Sequence, residues 1–219
     1  MICVAAVLAG TPREVGTLGA ADPMDRVFIS AIWKTPVAGP VFAGALGLTG
    51  DAVANTRVHG GVDQALLMYA ISHYPAWETE LGRPMTPGSF GENLAVQGLD
   101  EDSACVGDVL EIGSARFEIT QPRQPCATLA RRHQVRDMIA IVRRNGRSGW
   151  YLRVLEEGTV EAGQEIRLVE HPNPDWTIRR AAQTMLGRAR NPDVAAALSR
   201  ARGLSADWRR RLSPEAAPG

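Results

Sequence analysis

The hydrophobic positions of this chain follow two regimes. Up to about residue 170 they come in short runs, some continuous and some alternating, which is the signature of strands. Residues 2–9 read as a first strand, and 11–30, polar and broken by Gly and Pro, as a loop. Short strands are expected at 30–34 and 40–43, on either side of a turn over 35–39. Residues 46–51 are punctuated by glycine and predict no regular interior element. The apolar run 65–70 has the length and flanks of a buried strand. Ser72 then caps a helix running to Leu81, with Trp77 and Leu81 on one face and Gly82 as its stop. A glycine-rich loop over 84–93 leads to a strand at 94–96. Residues 104–108 read as a turn, and 109–112 and 116–120 as a hairpin around Gly113-Ser114. A short helix over 127–133 precedes one capped by Asp137, with Met138, Ile141 and Val142 on one side and Gly146 at its end. Strands at 149–155, 159–160 and 165–169 complete a β-rich region.

After His171-Pro172-Asn173-Pro174, a linker signature, the period becomes 3.6. Ile178, Ala181, Ala182, Met185 and Leu186 stripe one helix, which Gly187 ends. Asn191-Pro192-Asp193 starts a second, and Ser205 caps a third that carries Trp208 and Leu212. None of the three can bury a face alone, so a small bundle over 175–213 is expected, with 214–219 as a frayed tail. Strands that do not alternate with helices argue against a parallel βαβ sheet. They argue for a mainly β domain over 1–170, built as a closed or partly closed barrel.

Composition narrows the function classes. Of 219 residues, 24 are basic and 24 acidic, so no net charge draws the chain to nucleic acid or an anionic membrane. Arg131, Arg132, Arg136, Arg143, Arg144 and Arg147 nevertheless crowd one span, as a solvated helix face or a phosphate site. Three widely spaced cysteines, Cys3, Cys105 and Cys126, argue against a disulfide framework and for a reducing compartment. The apolar N-terminus lacks a basic leader, and no run reaches the length of a membrane helix. A cytoplasmic protein is the expectation. Phosphate-loop, dinucleotide and nucleophile-elbow motifs are absent from the sequence.

Candidate chemistry lies in three loops. In Gln121-Pro122-Arg123-Gln124-Pro125-Cys126, Pro125 suits the first helical position, which would put Cys126 in the first turn. The helix dipole and Arg123 would then favour a thiolate there; the alternative is a buried small hydrophobe. In Arg57-x-His59-Gly60-Gly61-x-Asp63, the paired glycines allow close approach of a ligand, or simply make a turn. In Gly91-Glu92-Asn93, an acceptor and an amide could bond a heterocycle edge, or could close a hairpin. His59, Asp63, Cys126 and His133 could supply a zinc shell, though without the close spacing of structural zinc sites. His133, about two turns from Cys126, reads either as its catalytic partner or as a surface histidine.

With Lys34-Thr35-Pro36-Val37, Leu46-Gly47-Leu48-x-Gly50-Asp51, Val58-His59-Gly60-Gly61-x-Asp63-Gln64-Ala65-Leu66, Phe90-Gly91-Glu92-Asn93-Leu94, Gly98-Leu99, Val106-Gly107-Asp108, Gln121-Pro122-Arg123-x-Pro125-Cys126 and Gly149-Trp150-Tyr151 in this order, the sequence resembles the MOSC domain proteins. These are similar to the C-terminal domain of molybdenum cofactor sulfurase. Among them the resemblance is to the YiiM-like branch, in which a three-helix domain follows. The resemblance implies a β-barrel that binds the pterin-based molybdenum cofactor, with Cys126 as the metal's sulfur ligand. It implies that His59 and Asp63 act beside Cys126, and that Arg57, Gly60, Gly61, Glu92, Asn93 and Arg123 line the cofactor pocket. Arg57 stands where relatives often have lysine, which leaves its geometry less defined. The implied activity is reduction of N-hydroxylated compounds such as hydroxylaminopurines and amidoximes. The chain carries no flavin, haem or iron–sulfur motif, so a separate reductase would deliver the electrons. Alternatives are a sulfur carrier using a Cys126 persulfide and a non-catalytic cofactor-binding module. The C-terminal helices could form a homodimer contact, cover the pocket or dock the electron donor; Trp208-Arg209-Arg210-Arg211 most simply confers solubility.

Overall fold

A computed structural model describes residues 1–213. The expected frayed tail lies outside the described residues. Among the described residues thirteen strands form in order: β1 Cys3–Ala9, β2 Arg13–Val15, β3 Phe28–Ser30, β4 Thr35–Pro36, β5 Val41–Gly44, β6 Gly47–Leu48, β7 Leu66–Ala70, β8 Leu94–Gln97, β9 Val109–Ile112, β10 Ala115–Pro122, β11 Trp150–Glu156, β12 Gly158–Val160 and β13 Ile166–Glu170. Six helices accompany them: α1 Tyr74–Leu81, α2 Ala127–His133, α3 Met138–Asn145, α4 Ile178–Gly187, α5 Pro192–Ser199 and α6 Ala206–Leu212.

The main sheet has the order β13-β9-β10-β11-β7-β8-β1-β4. Its strand pairs are antiparallel except β7 and β8, which run parallel across the α1 crossover. All five residues of β7 are buried, which explains a continuous rather than alternating apolar run. The sheet curls until its ends meet. Val4 N–H donates to the Gln164 carbonyl and Ile166 N–H to the Ile2 carbonyl, each at 2.9 Å, and Cys3 bridges Glu165. This closure removes most of the exposed edge that an open sheet would leave. β12, β5 and β6 form a second small sheet.

Several expectations need correction. The segment 11–30 is not all loop: β2 and β3 pair within it. What orders it is distant. Arg131 donates to the carbonyls of Met24 and Arg26 and lies 3.6 Å over the Phe28 ring. Arg132 bonds the Ile32 carbonyl and, with Arg13, faces the Trp33 ring, and Arg136 pairs with Asp22. Part of the arginine cluster is thus a clamp rather than a solvated face. Thr35–Pro36, expected in a turn, pairs with β1, and Gly47–Leu48 pairs with β5. Ser72 sits in a 3-10 turn, Ile71–His73, and α1 begins two residues later behind His73, with Pro75 in its first turn.

Two apolar cores fill the molecule. The larger joins the barrel interior to Ile178, Ala181, Met185, Leu198, Trp208 and Leu212, so the helical unit completes the barrel's core instead of enclosing one of its own. The smaller, under α1, α2 and α3, stacks Tyr69 on Phe90 at 4.3 Å and buries Trp77, whose indole N–H donates to Tyr69 at 2.6 Å. It seats Leu129 and Ala130 of α2 and thereby fixes the start of that helix. Among the described residues no helix is long and apolar enough to cross a membrane.

Candidate functional site

β10 ends at Pro122, and α2 starts after Cys126. Cys126 is the N-cap, in extended conformation at φ −124° and ψ 170°, so it stands one position before the first turn where Pro125 was expected to put it. The sulfur is partly buried. Burial pushes the thiol up, but the His59 side chain as a hydrogen-bonding partner and the positive charge of Arg123 outweigh it. The Leu129 N–H, which also bonds the Cys126 carbonyl at 3.1 Å, and the charge of His59 add to this and bring the thiol down to about 6. Cys105 shows the contrast: burial and the nearby Asp108 and Asp175 raise its thiol to about 11. Cys126 is a thiolate at neutral pH because of its neighbours, not merely because it begins a helix.

Arg123 is 6% exposed, and its Nη1 is buried without a hydrogen-bond partner. A buried guanidinium with an unspent donor is costly unless an anion meets it. Its backbone is pinned by a 2.9 Å bond from its N–H to the Gly149 carbonyl. Tyr151, opposite Gln121 on β11, faces the same guanidinium and thiolate. Burial raises the Tyr151 phenol, and Arg123 offsets this only in part. Arg123 also belongs to the wall of a cleft of about 70 Å³ between the end of β10 and helices α3, α4 and α6. Arg143, Arg144 and Arg179 give that cleft a basic lining, and the Trp208 indole N–H, also on its wall, is buried without an acceptor.

His59 reaches the sulfur from a tight loop. Gly60 and Gly61 take φ of 77° and 80°, which L side chains rarely adopt, and a Cβ at Gly60 would stand 3.1 Å from Val53. The glycines are thus required by the shape of this loop itself. Arg57 is exposed beside it.

The remaining expected pocket residues are turned toward the protein. Glu92 is fully buried and accepts from the N–H groups of Gly88 (2.6 Å) and Phe90 (2.9 Å) and from the Tyr74 hydroxyl. Asn93 accepts from Leu67 N–H at 3.0 Å and donates to Asp51 at 2.8 Å. Asp51 in turn holds Lys34 at 2.5 Å and Gly10 N–H at 2.9 Å. Burial lowers Lys34 despite that partner. Asp63 accepts from Arg153 at 2.6 and 2.9 Å and from Ala206 N–H at 2.9 Å, which ties α6 to the barrel.

His133 is 5% exposed, not on the surface. Its Nε2 donates to the Ser89 carbonyl and its Nδ1 accepts from Arg83, each at 2.8 Å, so both nitrogens are occupied and no Cys126–His133 pair forms. Burial pushes it down to about 4, with the neighbouring arginines contributing despite the Ser89 bond. The zinc shell of His59, Asp63, Cys126 and His133 is likewise not assembled; among the described residues a different trio, Cys105, Asp108 and His171, converges. Tyr151, which the sequence reading did not single out, lies beside Arg123 and Cys126. Its signal was its place in the Gly149-Trp150-Tyr151 motif, which by itself names no partner.

The pattern model of the MOSC domain matches residues 55–167. The YflK protein of Bacillus subtilis is 36% identical over 180 residues, 82% of this chain and 81% of that protein. A protein of Gibberella moniliformis named "Reductase" is 36% identical over 168 residues, 74% of this chain but 29% of its own length. The crystal structure of YiiM from Geobacillus stearothermophilus superposes with a TM-score of 0.82 at 33% identity, covering 99% of this chain and all of that one. That coverage includes the C-terminal helices.

Proposed function

Since the chain belongs to the MOSC domain family, we propose that it is an oxidoreductase that reduces N-hydroxylated compounds with a molybdenum cofactor held by Cys126. The observation that carries this reading is the placing of Cys126 at the start of α2 beside Arg123, whose buried guanidinium draws the thiol down and keeps an Nη1 without an acceptor. A soft anionic sulfur suits molybdenum, and an unspent buried cation suits the anionic groups of a pterin cofactor. The donor set therefore fits the group the family implies. A relative named "Reductase" favours redox chemistry over storage.

In this reading Cys126 holds the metal, and Arg123 meets negative charge at its Nη1. Tyr151 buttresses Arg123 from β11. His59, which faces the sulfur, is the side chain placed to hand a proton from its ring nitrogen to a departing oxygen. Glu92, Asn93 and Asp63 keep the surrounding loops in place. When bound, the cofactor would supply the two-electron exchange with the N–O bond. The balance is a hydroxylamine plus two electrons and two protons giving an amine and water. The electrons come from a separate reductase, and the substrate is a small N-hydroxylated base or amidoxime.

The test is expression in a cofactor-competent host, with molybdenum analysis and turnover of a hydroxylaminopurine under a chemical electron donor. Wild type should carry about one molybdenum and turn over; Cys126→Ala should lose both. A Cys126→Ser variant with full activity would overturn the reading. A labile extra sulfur on Cys126 in metal-free protein would point instead to sulfur transfer, and tight cofactor binding without turnover to a storage module.

A further inference from the structure

The turn after β8 and the linker to the helical unit meet at Cys105, Asp108 and His171. One ligand atom from each, a thiol sulfur, a carboxylate oxygen and an imidazole nitrogen, lies within 4.8 Å of the others. Cys105 and Asp108 are each 2% exposed, whereas the His171 side chain is 41% exposed. The carboxylate is already aimed. Its Oδ2 accepts from the Cys105 N–H at 2.8 Å, and its Oδ1 faces His171 Nδ1 at 2.7 Å. The Cys105 sulfur has only the Pro174 carbonyl, at 3.6 Å, and the more distant Ser103 carbonyl as acceptors.

We propose that Cys105, Asp108 and His171 form a second metal site, taking a divalent cation of the zinc type at the seam between barrel and helical unit. The donor set selects the ion. Thiolate with imidazole disfavours magnesium and calcium, which prefer oxygen shells, and suits zinc. Three protein donors leave a fourth position, and the exposed side of His171 lets water fill it. Binding is a proton exchange: the Cys105 thiol proton leaves to solvent as the sulfur–metal bond forms. His171 shifts to its Nε2–H tautomer, freeing Nδ1, and the cation replaces the proton it shared with Asp108. The bond from the Cys105 N–H holds the carboxylate in orientation, as outer-shell partners of metal ligands do.

The consequence is mechanical. The linker already runs against this turn: Val106 N–H donates to the Trp176 carbonyl at 2.9 Å, Ile178 N–H to the Ala104 carbonyl at 2.8 Å, and the Asn173 amide to the Val106 carbonyl at 2.7 Å. A cation joining Cys105 and Asp108 to His171 clasps the root of the helical unit to the barrel. The groups are hydrogen-bonded without it, so the ion adds stability to a fold that forms on its own.

The site does not involve Cys126 and stands whether or not the redox reading does. The test is titration of full-length, chelator-treated protein with cobalt(II) and zinc(II). Cobalt should bind at one equivalent with a thiolate-to-metal charge-transfer band, in wild type and in Cys126→Ala alike. His171→Ala, which keeps the Cys105 N–H bond to Asp108, should weaken binding at least tenfold. Cys105→Ser should remove the band. Zinc at a hundredfold excess over its wild-type dissociation constant should raise the Tm of wild type by about 5–10 °C, and that of His171→Ala by about half as much or less. Absence of a band in wild type, its loss in Cys126→Ala, or its full retention in His171→Ala would each overturn the proposal.

Discussion

Replacing His59 by alanine removes the partner that most favours the Cys126 thiolate while leaving Arg123 and the start of α2 in place. The fall of the thiol from 9.0 to about 6 corresponds to about 4 kcal/mol between its two protonation states. Burial opposes this, so the favourable neighbours together supply more. A hydrogen bond to an ion contributes about 1.5–3 kcal/mol, so His59→Ala should raise the midpoint by about 1–2 pH units. At pH 7 wild-type Cys126 should be about nine-tenths thiolate, and the variant about a quarter if its midpoint reaches about 7.5. Arg123→Met should give a smaller rise, since its effect is mainly a charge acting through a partly polarisable surround. The assay is the pH dependence of alkylation by iodoacetamide in cofactor-free protein, followed at the Cys126 peptide by mass spectrometry, with Cys105 as the slow internal control. The sign also predicts stability. The folded thiol releases its proton near 6 and the unfolded one near 9, so this group adds stability that grows across that window and is lost as pH falls through 6. A wild-type midpoint near 9 would refute the argument. So would a midpoint unmoved by His59→Ala, which would hand the effect to Arg123 and the start of α2.

Further predictions separate structural from pocket roles. Glu92→Ala should cost about 3–5 kcal/mol in urea unfolding, because it orphans two buried N–H groups and the Tyr74 hydroxyl; unchanged stability with lost cofactor binding would return Glu92 to the pocket. Asp63→Ala should cost about 1–2 kcal/mol and speed amide exchange in α6, since it frees the Ala206 N–H; unaltered exchange there would contradict the tether. His133 should make the fold acid-labile. The unfolded imidazole takes a proton below 6.5 and the folded one only near 4, so about 3 kcal/mol is lost as pH falls between those values, and His133→Gln should flatten that slope in denaturation curves.

Much was legible in the chain alone. The strands at β1, β7, β9, β10, β11 and β13 and all six helices follow from apolar periodicity, caps and glycine stops, because those signals are local. The barrel class and the three-helix appendage follow from the order of such elements. β2 and β3 were not legible, since arginines more than a hundred residues away order them. The cysteine loop, the His59 loop and Arg123 could be picked out as residue types suited to ligand chemistry, and the structure does gather them.

What a sequence cannot carry is which polar group meets which. Glu92, Asn93 and Asp63 look like pocket chemistry in their motifs, yet their hydrogen-bonding groups meet Tyr74, Asp51 and Arg153, contacts set by how separate elements pack. His133 and His59 look alike as candidates for Cys126. Burial between Ser89 and Arg83 removes one of them, and a left-handed glycine pair delivers the other. The sequence by itself determined the elements and the residue that bears the sulfur. Only the tertiary structure decided that sulfur's charge, because a pKa depends on distances and desolvation that arise when remote loops converge.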